Sequence, residues 1–161
     1  MKKKIFQILT IAMVVMIAAC SGVYENGEEL AAAIKDKITE ISADELKAKI
    51  DNGEDFLLLD VRQASEFQNA SIPGSINIPR GTLEFVIRND NFWEEKFLNT
   101  PENGQEIIVY CKAGDRGALS AFALQQLGFT NVRYLKGGIL RWDTDIDKSS
   151  PKKSSGGGCG N

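Results

Sequence analysis

The 161-residue sequence contains no histidine. That absence excludes an imidazole general base, a His metal ligand and a His pH switch, together with Ser-His-Asp and Cys-His catalytic pairs. Cysteine is scarce and scattered: Cys20, Cys111 and Cys159 lie too far apart for CxxC redox or zinc spacing. The odd count leaves at least one thiol unpaired. No charge of one sign dominates. Nineteen Lys plus Arg stand against 22 Asp plus Glu, a formal net charge of −3, so there is no global basic field for nucleic acid. Catalysis would fall to Cys, Lys, carboxylates, Arg, hydroxyls or backbone dipoles, and neither a metal nor a cofactor is expected. The length suits one domain, large enough to bury a sizeable core.

What is present begins with Met1-Lys2-Lys3-Lys4, a basic head. Residues 5–19 follow without a charge, a run at the upper end for a signal core and short for a helix that must cross about 30 Å of hydrocarbon. Ile17-Ala18-Ala19 then lead into Cys20-Ser21-Gly22. Basic head, apolar run, small residues and Cys together resemble a bacterial lipoprotein signal, with Ile17 where Leu is preferred. The resemblance implies that Cys20 becomes the lipidated first residue of an exported, membrane-anchored protein of the cell envelope. Loss of the three N-terminal lysines would take the net charge from −3 to −6, so anchoring would come from lipid and not from a polybasic patch.

Residues 20–37 read as a tether or lead-in helix, with a helical run over 28–37. Residues 38–41 suit a short strand. Ser42 with Glu45 three residues later forms a capping-box pattern ahead of a helix carrying Leu46 and Ile50 on one face. Two continuous apolar runs, residues 56–61 and 107–110, suit strands buried on both faces, as in a parallel sheet. Further strands are expected near 75–78 and 132–135. Helices are expected near 83–88, 92–98, 118–127 and 139–143. Trp93, Phe92 and Phe97 are expected to pack in the core, as are Phe122, Leu124 and Leu127. The alternation of strands and helices gives an α/β class with a largely parallel sheet. The tail, residues 146–161, has no apolar periodicity and is expected to be disordered.

The segment that carries chemistry is Tyr110-Cys111-Lys112-Ala113-Gly114-Asp115-Arg116-Gly117. It places a Cys at the carboxyl end of a buried strand, where α/β sheets bind ligands. A tight loop with two glycines follows, and then a helix start. Backbone N–H groups of such a loop turn inward as an anion-binding nest, and the helix N-terminus adds about half a positive charge. Lys112 and Arg116 add whole charges. These effects favour thiolate over thiol, and the thiolate is the nucleophile. No base has to remove the proton, so the missing histidine is no obstacle.

The loop resembles the active-site loop of rhodanese-like sulfurtransferases. Three further segments agree: Leu59-Asp60-Val61-Arg62 with Glu66-Phe67; Ile72-Pro73-Gly74-Ser75-Ile76-Asn77-Ile78-Pro79; and Leu135-Lys136-Gly137-Gly138-Ile139-Leu140-Arg141-Trp142. The resemblance spans residues 38–145. It implies a single rhodanese domain with a five-stranded, mostly parallel sheet and helices on both faces. It further implies that Cys111 takes sulfane sulfur from a small anionic donor such as thiosulfate, holds it as a persulfide and passes it to cyanide or a thiol. The N–H groups of Lys112, Ala113, Gly114, Asp115, Arg116 and Gly117 would cradle the anion, with Lys112 and Arg116 binding the donor's oxygens. Asp60 and Arg62 would give support as a strand-end ion pair or loop anchor. Asp115 is expected to face solvent, since its acid works against anion binding. Ser71 stands where the family usually has a structural His.

Two other readings compete with this one. A cysteine phosphatase also combines Cys, a cradle loop and Arg, but carries five residues between Cys and Arg, where only four lie between Cys111 and Arg116. A membrane-tethered, non-enzymatic sulfur-relay or binding module is the other. Cys159, in a Gly-rich tail, reads either as a free thiol or as a resolving or acceptor thiol for Cys111.

Overall fold

The computed structural model describes residues 22–144. The signal segment, Cys20, the tail and Cys159 lie outside the described residues. Five strands form one sheet: β1 (Thr39–Ile41), β2 (Leu57–Asp60), β3 (Ile76–Asn77), β4 (Ile107–Tyr110) and β5 (Val132–Leu135), in the order β1-β5-β4-β2-β3. Every pairing is parallel. The expected five-stranded α/β sheet is therefore present, and it is wholly rather than mostly parallel.

The apolar runs act as expected for strands buried on both faces. Leu57, Leu59, Ile107, Val109, Val132 and Tyr134 join one core; Leu58, Ile108, Tyr110 and Leu135 join the other. This is the period-2 alternation of an extended chain covered on each side. The first core is covered by helix α1 (Gly27–Lys35), α4 (Leu83–Val86), α5 (Asp90–Glu94) and α6 (Asp115–Gln126), through Ile34, Leu83, Trp93, Ala118, Ala121 and Leu124. The second is covered by α2 (Ala43–Asp51) and α7 (Ile139–Trp142), through Leu46 and Ile139. Helix α3 (Ala64–Asn69) buries no residue.

Ser42 caps α2 as its sequence predicts, its hydroxyl accepting the Glu45 N–H at 3.1 Å. The lead-in helix expected within residues 20–37 is α1, whose Ala31 and Ile34 are buried and whose Lys35 forms a 2.6 Å ion pair with Asp115. Two other expectations need correction. Helix α6 starts at Asp115 and not at residue 118, because Gly114 already accepts the first helical hydrogen bond, from the Ala118 N–H at 2.9 Å. Phe97 is 96% exposed and not in the core: its φ of 58° closes the turn after α5 and throws the ring outward. Trp93 is buried, its indole N–H donating to the Ile87 carbonyl at 2.9 Å.

Candidate active site

Cys111 directly follows β4 and belongs to the same core face as Ile107 and Val109, the face covered by α6. It is 1% exposed. Its Sγ accepts the Gly114 N–H at 3.1 Å. Gly114 has a φ of 109°, a region L side chains avoid, and a Cβ there would fall 3.1 Å from the backbone nitrogen of Gly137. The loop proper is thus three residues, Lys112, Ala113 and Gly114. Asp115, Arg116 and Gly117 supply the first helical turn, whose N–H groups have no carbonyl to bond within the helix. The positive end of α6 stands beside Sγ. The loop is anchored to the next element: the Ile139 N–H donates to the Cys111 carbonyl at 2.9 Å and the Leu140 N–H to the Lys112 carbonyl at 3.2 Å.

Charged groups around the loop are paired. The Arg116 guanidinium grips the Glu66 carboxylate with both ends, at 3.1 and 3.2 Å, bridging α6 and α3. Burial disfavours ionised Glu66, but the hydrogen bonds and charge of Arg116 and the Gln63 N–H outweigh it and hold the carboxyl below its usual range. The Arg116 guanidinium is held above its ordinary value, first by the bond to Glu66 and then, against burial, by the negative charge of Glu66. Asp115 is half-exposed and carries its charge against Lys35, not freely into solvent. Lys112 is half-buried and Ala113 exposed at the loop tip.

Asp60 and Arg62 lie at the end of β2 and are both buried. Arg62 Nε contacts both carboxylate oxygens at 3.0 and 2.9 Å, and a terminal nitrogen reaches Asp60 at 2.6 Å and the Ala70 carbonyl at 2.6 Å. Asn77 donates to the Asp60 and Arg62 carbonyls, tying in β3. Ser71 is exposed. The segment after it is held by Tyr110, whose hydroxyl accepts the Ile72 N–H at 3.1 Å and shares a hydrogen bond with Ser75 at 2.8 Å.

The structure therefore gathers Cys111, the loop, Arg116 and the first turn of α6 at the carboxyl edge of the sheet. It adds Glu66, Lys35 and Gly138, to which the sequence assigned no role. Glu66 directly precedes Phe67, and its position three after Gln63 at a helix start is its local signal.

The model of the Rhodanese-like domain family matches residues 42–145. The chain belongs to the rhodanese-like family. This rhodanese-like domain is 36% identical over 111 residues to the maize protein "Adenylyltransferase and sulfurtransferase MOCS3-1", covering 69% of this chain and 23% of that one. It is 26% identical over 105 residues to a protein named "Sulfurtransferase" from Allochromatium vinosum, covering 65% of this chain and 88% of that one. Among solved structures, the human single-domain sulfurtransferase TSTD1 superposes with a TM-score of 0.59 at 28% identity, over 64% of this chain and 93% of that one. The chain spans only about a quarter of the first curated relatives it matches.

Proposed function

We propose that this rhodanese-like domain is a sulfurtransferase that carries sulfane sulfur on Cys111, with thiosulfate or a similar anionic compound as donor. The observation that carries the reading is the Gly114 N–H aimed at Cys111 Sγ beside the N-terminus of a 12-residue helix. Both favour a sulfur anion at that point. The Cys111 thiolate attacks the outer sulfur of thiosulfate; the S–S bond of the donor breaks and its electron pair leaves with sulfite. Cys111 then bears a persulfide anion in the place the thiolate held. Cyanide or a thiolate attacks the terminal sulfur, forming thiocyanate or a new persulfide, and the Cys111 thiolate returns. A thiol this buried suits a reactant whose attacked atom is a single terminal sulfur.

The reading includes the membrane. Supported by the sequence pattern of residues 1–20, Cys20 would carry the lipid that anchors the domain in a bacterial cell envelope, periplasmic or outward-facing.

The test is mass spectrometry of the full chain in detergent before and after thiosulfate, beside a thiosulfate:cyanide assay. Cys111 should gain the mass of one sulfur atom, and Cys111→Ser should lose both the adduct and thiocyanate formation. A Cys111→Ser protein with undiminished transfer would overturn the reading. Cys20→Ser should abolish incorporation of labelled fatty acid into the chain; a wild-type chain that takes up no label would remove the lipid anchor.

A further inference from the structure

Three ion pairs stand on the elements next to the loop: Arg62 with Asp60, Asp115 with Lys35, and Arg116 with Glu66. The first pair is buried and fixed. The third is different. Its side chains are 40% and 31% exposed, it spans two elements, and it engages the one guanidinium that stands in the first turn after the nucleophile. Glu66 also accepts the Gln63 N–H at 3.2 Å, so its carboxylate is fixed by its own helix start as well as by Arg116.

We propose that Glu66 is a specificity-determining residue, which by gripping Arg116 discriminates against dianionic sulfur donors in favour of donors of lower charge. The inference rests on the sulfur-transfer reading above. A donor whose oxygens carry the negative charge must either displace the Glu66 carboxylate from the guanidinium or accept its repulsion. A monoanionic donor meets half of that repulsion. The positive end of α6 serves both donors alike, so selectivity falls to the pair and not to the helix. Half-exposed pairs are weak enough to be displaced, and the expected effect is correspondingly a few-fold.

The experiment uses the full chain in detergent and compares thiosulfate, a dianion, with methanethiosulfonate, a monoanion carrying the same transferable sulfur. Glu66→Gln should lower the thiosulfate KM about three- to fivefold, with the change appearing in KM and not in kcat, while the methanethiosulfonate KM moves by the square root of that factor, about twofold. Glu66→Asp, which keeps the charge, should keep the wild-type ratio of the two KM values. An unmoved or raised thiosulfate KM in Glu66→Gln, or an equal gain for both donors, would overturn the assignment. Calorimetric binding of thiosulfate to Cys111→Ser, with and without Glu66→Gln, separates the two claims. If no donor loads Cys111, sulfur transfer fails, and a tighter or unchanged thiosulfate affinity in the double variant then upholds or overturns the role of Glu66 by itself.

Discussion

Gly138 packs against the carbonyl of Cys111 so closely that a Cβ there would clash with the Cys111 oxygen and fall 2.5 Å from that of Lys112. Its backbone, at φ 61° and ψ −158°, lies in a region that is essentially open to glycine alone. Both constraints serve the site, because the next two residues, Ile139 and Leu140, donate the hydrogen bonds that hold the Cys111 and Lys112 carbonyls. Gly138→Ala should cost about 2–5 kcal/mol, combining backbone strain with overpacking against main chain that has nowhere to move. Urea denaturation reads the stability, and sulfur loading of Cys111 should fall with it. A variant of unchanged midpoint and unchanged loading would show that the contact yields freely.

The Asp60–Arg62 pair predicts a strongly non-additive cycle. Both residues are buried and exchange several hydrogen bonds. Asp60→Leu strands the guanidinium and should cost about 3–5 kcal/mol, as should Arg62→Met for the carboxylate. The double variant removes both charges at once and should recover much of the loss. Denaturation midpoints of the four proteins decide it; additive single losses would mean that each group is stabilised by other partners.

Local signals and long-range pairings were not equally legible in this sequence. The Ser42–Glu45 cap and the runs at 57–60 and 107–110 announce themselves within a few residues, because capping and two-sided burial act locally. The ion pairs at the first turn of α6 do not. Glu66 and Arg116 are 50 residues apart and Lys35 and Asp115 are 80 apart, brought together by a parallel sheet whose crossovers separate neighbours in sequence. Helix α3, which carries Glu66, buries nothing and therefore shows no apolar periodicity. Arg116 reads in sequence as a free anion binder for that reason alone: its partner is invisible until the fold is built. Apolar periodicity marks where a helix packs and not where its first turn begins, so the sequence points to residue 118 while α6 starts at Asp115.

Tyr110 predicts an alkaline instability. Burial is the main influence on its phenol and, against the hydrogen bond it shares with Ser75, pushes its pKa up to about 12. An unfolded tyrosine titrates near 10. Between about pH 10 and 12 the unfolded chain has lost this proton while the folded chain keeps it, so stability falls as pH rises through that window and is fully present below it. Tyr134, raised to about 12 chiefly by burial and then by the charge of Glu40, contributes in the same direction. Tyr110→Phe should flatten part of the alkaline slope. At neutral pH it should cost about 1–3 kcal/mol, since the Ile72 N–H loses its acceptor. Denaturation curves taken from pH 7 to 11 test both halves; an unaltered slope in Tyr110→Phe would assign the alkaline loss elsewhere.

Phe97 closes α5 in a conformation that suits glycine. Its N–H donates to the Glu94 carbonyl at 2.9 Å and the Leu98 N–H to the Trp93 carbonyl at 3.0 Å, the paired bonds of a Schellman ending. The residue between them must be left-handed, and Phe97 is, with φ 58°. An L side chain pays about 1–2 kcal/mol there, and the ring returns nothing, being 96% exposed. Phe97→Gly relieves the strain without removing buried surface, while loosening the unfolded chain by about 0.5–1 kcal/mol. The balance should be a gain of up to about 1 kcal/mol, with Phe97→Asn gaining less because asparagine tolerates this region only partly. Thermal and urea midpoints measure it. If Phe97→Gly lowered stability, the phenyl ring would have to be making a stabilising contact in solution that its exposure rules out in the folded monomer.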